Sequence, residues 1–121
     1  MFNQKGFTLI ELLSVMVIMG VMASVTIKKF DLVSDNAETR ALEAAVSELN
    51  ARENLTWTNM KLSQAGWTGD IVVFAAIDPV LGQGFDWDGV PTAAGGTLTY
   101  GQQSIILVRD ESTSIKAARW H

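Results

Sequence analysis

Residues 7–27 form an almost uninterrupted apolar run that holds a single charge, Glu11, and no proline. As a helix such a run spans about 32 Å, close to the ~30 Å hydrocarbon core of a bilayer. Its other polar members are Thr8, Ser14, Gly20, Ser24 and Thr26, residues that let membrane helices approach closely. Met16, Met19 and Met22 recur every three residues and read as adaptable packing. After Lys28-Lys29 the period changes. Val33, Ala37, Ala41, Ala45 and Leu49 recur every four residues, and Leu42 and Val46 widen the stripe. This predicts an amphipathic helix over 30–57 whose apolar face packs on the domain's own sheet. Glu38, Arg40, Glu43, Glu48, Arg52 and Glu53 fill the remaining positions and read as a solvated face.

Gly66 and Gly69 stop the helix. Residues 71–77 are a continuous apolar run, a buried strand or short buried segment that periodicity does not distinguish. Glycines and Pro91 make 82–91 a loop. Residues 97–100 alternate as a strand, 101–103 turn, 104–109 form a buried strand, and 114–120 form a last one. The fold class is therefore α+β. A long N-terminal α-helix, membrane-spanning in its first half, packs on a small antiparallel β-sheet, a meander over about 71–120.

Charge narrows the function classes. From Phe30 onward there are six Lys and Arg against twelve Asp and Glu. Nucleic acid is not expected as a partner, because phosphate binding needs clustered cations. The chain has no cysteine, which removes disulfides, thiolate metal sites and cysteine catalysis. No Ser/His/Asp set, phosphate loop or haem attachment motif is present, and His121, the sole histidine, is terminal. The sequence reads as a non-enzyme with no cofactor.

Glu11 is the costly feature. A charge at the bilayer centre costs about 2.5–3.5 kcal/mol or more, so an intramembrane acid points to function. A cleaved secretory signal fits poorly: the apolar core is too long, the acid is misplaced, and Ala23-Ser24-Val25 is a poor cleavage site. A plain single-span anchor, with Glu11 snorkelling to the headgroups, stays open on the residues alone. Lys5 on one side and Lys28-Lys29 on the other give mixed topology signals.

Lys5-Gly6-Phe7-Thr8-Leu9-Ile10-Glu11-Leu12 resembles the class III processing site of the type IV pilin and pseudopilin family. The resemblance is specific over residues 5–27, fair along the following helix, and general beyond about 65. It implies a cleaved leader at 1–6, a transmembrane and filament-core helix at 7–29, and a pilin-like headgroup at 30–121. It implies cleavage after Gly6 by a prepilin peptidase and N-methylation of Phe7. A structural subunit of a type IV pilus-like filament follows, homo-oligomeric or mixed, built with inner-membrane assembly machinery. The alternative is a minor pilin or type II secretion pseudopilin acting as a tip, priming or surface-binding module. The precursor belongs in the bacterial inner membrane, single-pass with a periplasmic headgroup, and later in a pilus or periplasmic filament. Glu11 would then pair with the Phe7 ammonium of a neighbouring subunit, because a buried carboxylate needs a partner. Many pilins carry a proline just after the region of Gly20; here that position is Lys28, and the only prolines are Pro79 and Pro91.

Some pseudopilins hold calcium in a loop like that of Asp86 and Asp88 beside Asp78, but the segment lacks EF-hand spacing, and turn chemistry accounts for aspartates next to glycine. Asn54-Leu55-Thr56 fits the N-glycosylation pattern, which is common by chance. Trp57, Trp67, Trp87 and Trp120, with Phe85 and Tyr100, read as core and interface burial.

Overall fold

A computed structural model describes Gly6 and residues 8–121. The element order is α1 (Leu9–Leu62), α2 (Asp70–Ala76), β1 (Phe85–Trp87), β2 (Gly95–Tyr100), β3 (Gln103–Asp110) and β4 (Arg119–Trp120). The chain divides into two units, Met1–Ser34 and Asp35–His121.

In the first unit every described side chain is exposed, including Leu9, Ile10, Met16, Met19 and Phe30. Among the described residues, α1 is the one helix long and apolar enough to cross a membrane. Its hydroxyls are satisfied within the helix: Ser14 Oγ donates to the Ile10 carbonyl at 2.8 Å and Thr26 Oγ1 to the Met22 carbonyl at 2.9 Å. In hydrocarbon no water would bond them.

In the second unit the buried stripe of α1 is Leu42, Ala45, Leu49 and Glu53. The expected stripe holds from Ala41 to Leu49, while Val33 and Ala37 are exposed. The stripe meets Leu98 of β2, Leu107 of β3 and Trp120 of β4, with Val46, Phe74, Leu81, Phe85, Trp87, Tyr100 and Ile105 packed around them. Phe85 stacks at a tilt on Tyr100 at 4.6 Å, and Trp87 on Trp120 at 5.6 Å. The strands form one antiparallel sheet in the order β1-β2-β3-β4. Between β2 and β3 the turn is Gly101-Gln102, with Gly101 at φ 62°. Glycine belongs at the first position of such a two-residue hairpin turn because that conformation strains other residues.

The structure corrects five expectations about elements. The helix runs to Leu62 instead of stopping at 57, because its last turns find partners: Trp57 Nε1 donates to the Thr113 carbonyl at 2.8 Å and Lys61 Nζ to the Ser114 carbonyl at 2.7 Å. Residues 71–77 lie outside the meander: Asp70–Ala76 is the helix α2, which buries Val73, and Ile77 four residues on is also buried. Residues 85–87 are strand rather than loop, with Phe85 and Trp87 half-buried and Asp86 exposed. The last strand is only Arg119–Trp120, because Thr113–Lys116 closes on itself as a turn. In β3 burial alternates, so Ile106 and Val108 are exposed rather than buried.

Candidate functional site

The N-terminal site is built by the start of α1. Thr8 precedes the helix, and its Oγ1 accepts the Glu11 amide N–H at 3.2 Å. The Glu11 carboxylate reaches back and accepts the Thr8 amide N–H at 3.1 Å. This is a reciprocal capping box, which satisfies two of the amide groups that a helix start leaves without partners. It also places the carboxylate at the positive end of the helix dipole. The sequence carries the signal for it, Thr-x-x-Glu opening an apolar run. Gly6 is exposed. Phe7, expected to be the methylated residue and the amine donor, lies outside the described residues, as does Lys5.

The three aspartates proposed for calcium have separate local tasks. Asp78 follows α2, and its Oδ1 accepts the Val80 amide N–H at 3.0 Å. Asp86 lies in β1 opposite Thr99, and Asp88 follows β1, bonding the Thr97 carbonyl through its own amide at 2.9 Å. No group of three or more His, Cys, Asp or Glu side chains placed to hold a metal occurs among the described residues.

A cluster that the sequence reading missed lies inside the second unit. Arg109 of β3 forms a two-pronged ion pair with Glu53 of α1, Nε to Oε1 at 2.6 Å and Nη2 to Oε2 at 3.1 Å. It forms a second with Asp70 of α2, Nη1 to Oδ2 at 2.7 Å and Nη2 to Oδ1 at 3.0 Å. Nη1 also donates to the Ala93 carbonyl at 3.2 Å, so all five guanidinium N–H groups have acceptors. Trp120 Nε1 donates to Glu53 Oε1 at 2.9 Å. The Ser112 amide and hydroxyl both donate to Asp70 Oδ1, at 2.8 and 2.6 Å, and Trp67 Nε1 donates to Ser112 Oγ at 3.2 Å. The guanidinium also sits 5.0 Å from the Phe74 ring centre. Glu53 and the Arg109 side chain are fully buried.

Burial alone would raise the Asp70 pKa, but the hydrogen bonds from Arg109 and Ser112, with the Arg109 charge, hold it below the ordinary aspartate range. Burial would likewise lower the Arg109 pKa, and the bonds and charges of Glu53 and Asp70 raise it instead. Glu53 was expected on a solvated face. It is buried because it follows Leu42, Ala45 and Leu49 on one stripe of α1. Arg109 is in phase with Ile105 and Leu107 on the inward side of β3. A charge in phase with an apolar period was the signal available in the sequence. The cluster joins four elements and is a structural clamp, since none of its buried side-chain polar atoms lacks a partner.

Comparison with known proteins bears on the N-terminal site. Residues 1–27 match the family model described as the prokaryotic N-terminal methylation motif. The chain carries the class III prepilin processing signal. No curated protein and no solved structure gives a significant match to this chain. The methylation motif ends within α1, so the capping box of Thr8 and Glu11 lies inside it and the buried clamp lies outside it. It supports a type IV pilin-like or pseudopilin precursor and suggests a structural subunit rather than an enzyme. The motif and the apolar helix together are consistent with a membrane-anchored precursor.

Proposed function

We propose that the chain is a structural subunit of a type IV pilus-like filament, inserted in the membrane through 7–29, cut after Gly6, methylated on the new Phe7 amine and polymerised through its helix. The observation that carries this reading is the methylation motif at the head of an apolar helix whose third residue is an acid. In a single chain the Glu11 carboxylate is held by the Thr8 amide. When helices leave lipid and bundle, that carboxylate accepts a further bond from the Phe7 ammonium of a neighbour, which sets the axial register. Cleavage therefore creates the partner that assembly uses. A buried charge stripped of its partner costs about 3–5 kcal/mol.

Mass spectrometry of the N-terminus is the first test: a mature chain that begins with methylated Phe7 is expected, and an intact leader would sink the proposal. Glu11→Ala is expected to leave cleavage after Gly6 unchanged and to reduce the sheared filament fraction severely. A normal filament yield from that variant would remove Glu11 from assembly. In purified filaments a shaft subunit is the dominant stained band, whereas a minor pilin or secretion pseudopilin is a trace.

A further inference from the structure

The filament reading leaves open what the folded C-terminal unit does in assembly. Its sheet has two ends, β1 with Asp86 and Asp88 in and after it, and β4 with Arg119 in it and Lys116 before it. Beside β4 lies a groove of about 280 Å³ lined by Asn50, Asn54, Lys116, Ala117, Ala118 and Arg119. Of the six Lys and Arg in 30–121, four have side-chain partners: Arg40 with Glu43, Arg52 with Glu48, Lys61 with the Ser114 carbonyl, and Arg109 in the buried clamp. Among the described residues, Lys116 and Arg119 form no ion pair and no side-chain hydrogen bond, and both line the groove, where no acid joins them. Asp110, opposite Arg119 across the strand pair, is bonded to His121 Nε2 at 3.1 Å. At the other end of the sheet Asp86 and Asp88 are exposed, and neither carboxylate has a partner among the described residues.

Neither end invites a neighbour to add a strand. β1 has three residues and β4 two, and short edge strands offer little backbone to pair. At β4 the edge is already closed, because Asn50 Nδ2 donates to the Trp120 carbonyl at 3.0 Å and its Oδ1 accepts the Trp120 amide N–H at 2.7 Å. What the two ends present is charged side chains.

We propose that the groove beside β4 takes the Asp86 and Asp88 edge of a second copy of this chain, so that C-terminal units associate head to tail. This rests on the filament reading and adds the contact that the folded units make. Like charges repel when either edge meets itself, so the complementary pairing is one edge against the other. Such a contact leaves one free edge of each kind at the ends of a row, and it propagates instead of closing into a dimer. Exposed charges of this kind are screened by salt, so the rows loosen as ionic strength rises.

Charge reversal in the full-length chain tests this, with sheared filament yield, leader cleavage and tryptophan fluorescence measured together. Lys116→Glu with Arg119→Glu, and separately Asp86→Lys with Asp88→Lys, are each expected to lower filament yield about tenfold while cleavage and fluorescence stay unchanged. Combining all four substitutions in one chain is expected to restore most of the yield, because the complementarity returns with its polarity inverted. Unchanged yield in the two reversed variants would overturn the contact, and so would a combined variant no better than either. Loss of adhesion to a surface with filament yield intact would also overturn it, since the groove then serves another partner. If the unaltered chain is neither cleaved nor found in filaments, the filament reading itself fails, and that outcome shows before any variant is compared.

Discussion

Arg109 stands between two carboxylates, Glu53 and Asp70, so the clamp buries one more negative charge than positive. Its stability depends on the guanidinium using every donor it has. Arg109→Met would leave Glu53 buried with only the Trp120 indole as donor and is expected to destabilise the fold by about 3–5 kcal/mol. Urea unfolding followed by tryptophan fluorescence measures this. Acid acts on the same residues. The folded-state pKa of Asp70 lies below its unfolded value, near 3.9 for an ordinary aspartate. Its contribution is therefore complete above about pH 4 and is lost as pH falls through the lower folded value. Trp67 and Trp120, which donate into the cluster, are expected to change emission in that acid window. Emission that stays flat as pH falls through and below the ordinary aspartate range would contradict the linkage.

At the scale of elements, α1 does two kinds of work. Up to Val33 its described side chains are exposed and largely apolar, and beyond Ala41 one stripe closes over the sheet. Beside that stripe Asn50 supplies the hydrogen bonds that an adjacent strand would otherwise give to Trp120. Asn50→Leu is expected to cost about 1–3 kcal/mol by leaving half-buried Trp120 backbone groups without partners. Faster hydrogen exchange at the Trp120 amide is the specific readout, since a general packing defect would accelerate the Leu98 amide equally. The short helix α2 was not legible from period alone. A run of seven apolar residues fits strand and helix equally, and the choice fell to Asp70, which opens the helix and is fixed by Arg109 and Ser112.

For the whole molecule, stability comes from apolar packing and one buried ionic clamp, with no disulfide to support them. The aspartates at 78, 86 and 88 do not converge with other acids into a metal-sized group among the described residues. Millimolar calcium is therefore expected to leave the melting temperature unchanged, and a rise of several degrees would reinstate the loop as a metal site. The fold class, a long helix with a small antiparallel sheet, was legible because two periods are written plainly along the chain, whereas α2 and β1 were not. The N-terminal methylation motif was legible because an acid inside an apolar run is rare and sits five residues after Gly6.

By itself the sequence determined the apolar helix, the processing signal within residues 1–27, and the α+β class. These are local: each is set by spacing along a few turns of chain. Tertiary structure decided which charges are surface and which are core. Glu53 and Arg109 are 56 positions apart and become partners only when α1 lies on β3. The same packing leaves Lys116 and Arg119 together in one groove and the aspartates of β1 at the other end of the sheet. Period tells which side of an element faces inward, but the partner waiting there is chosen by how the elements meet.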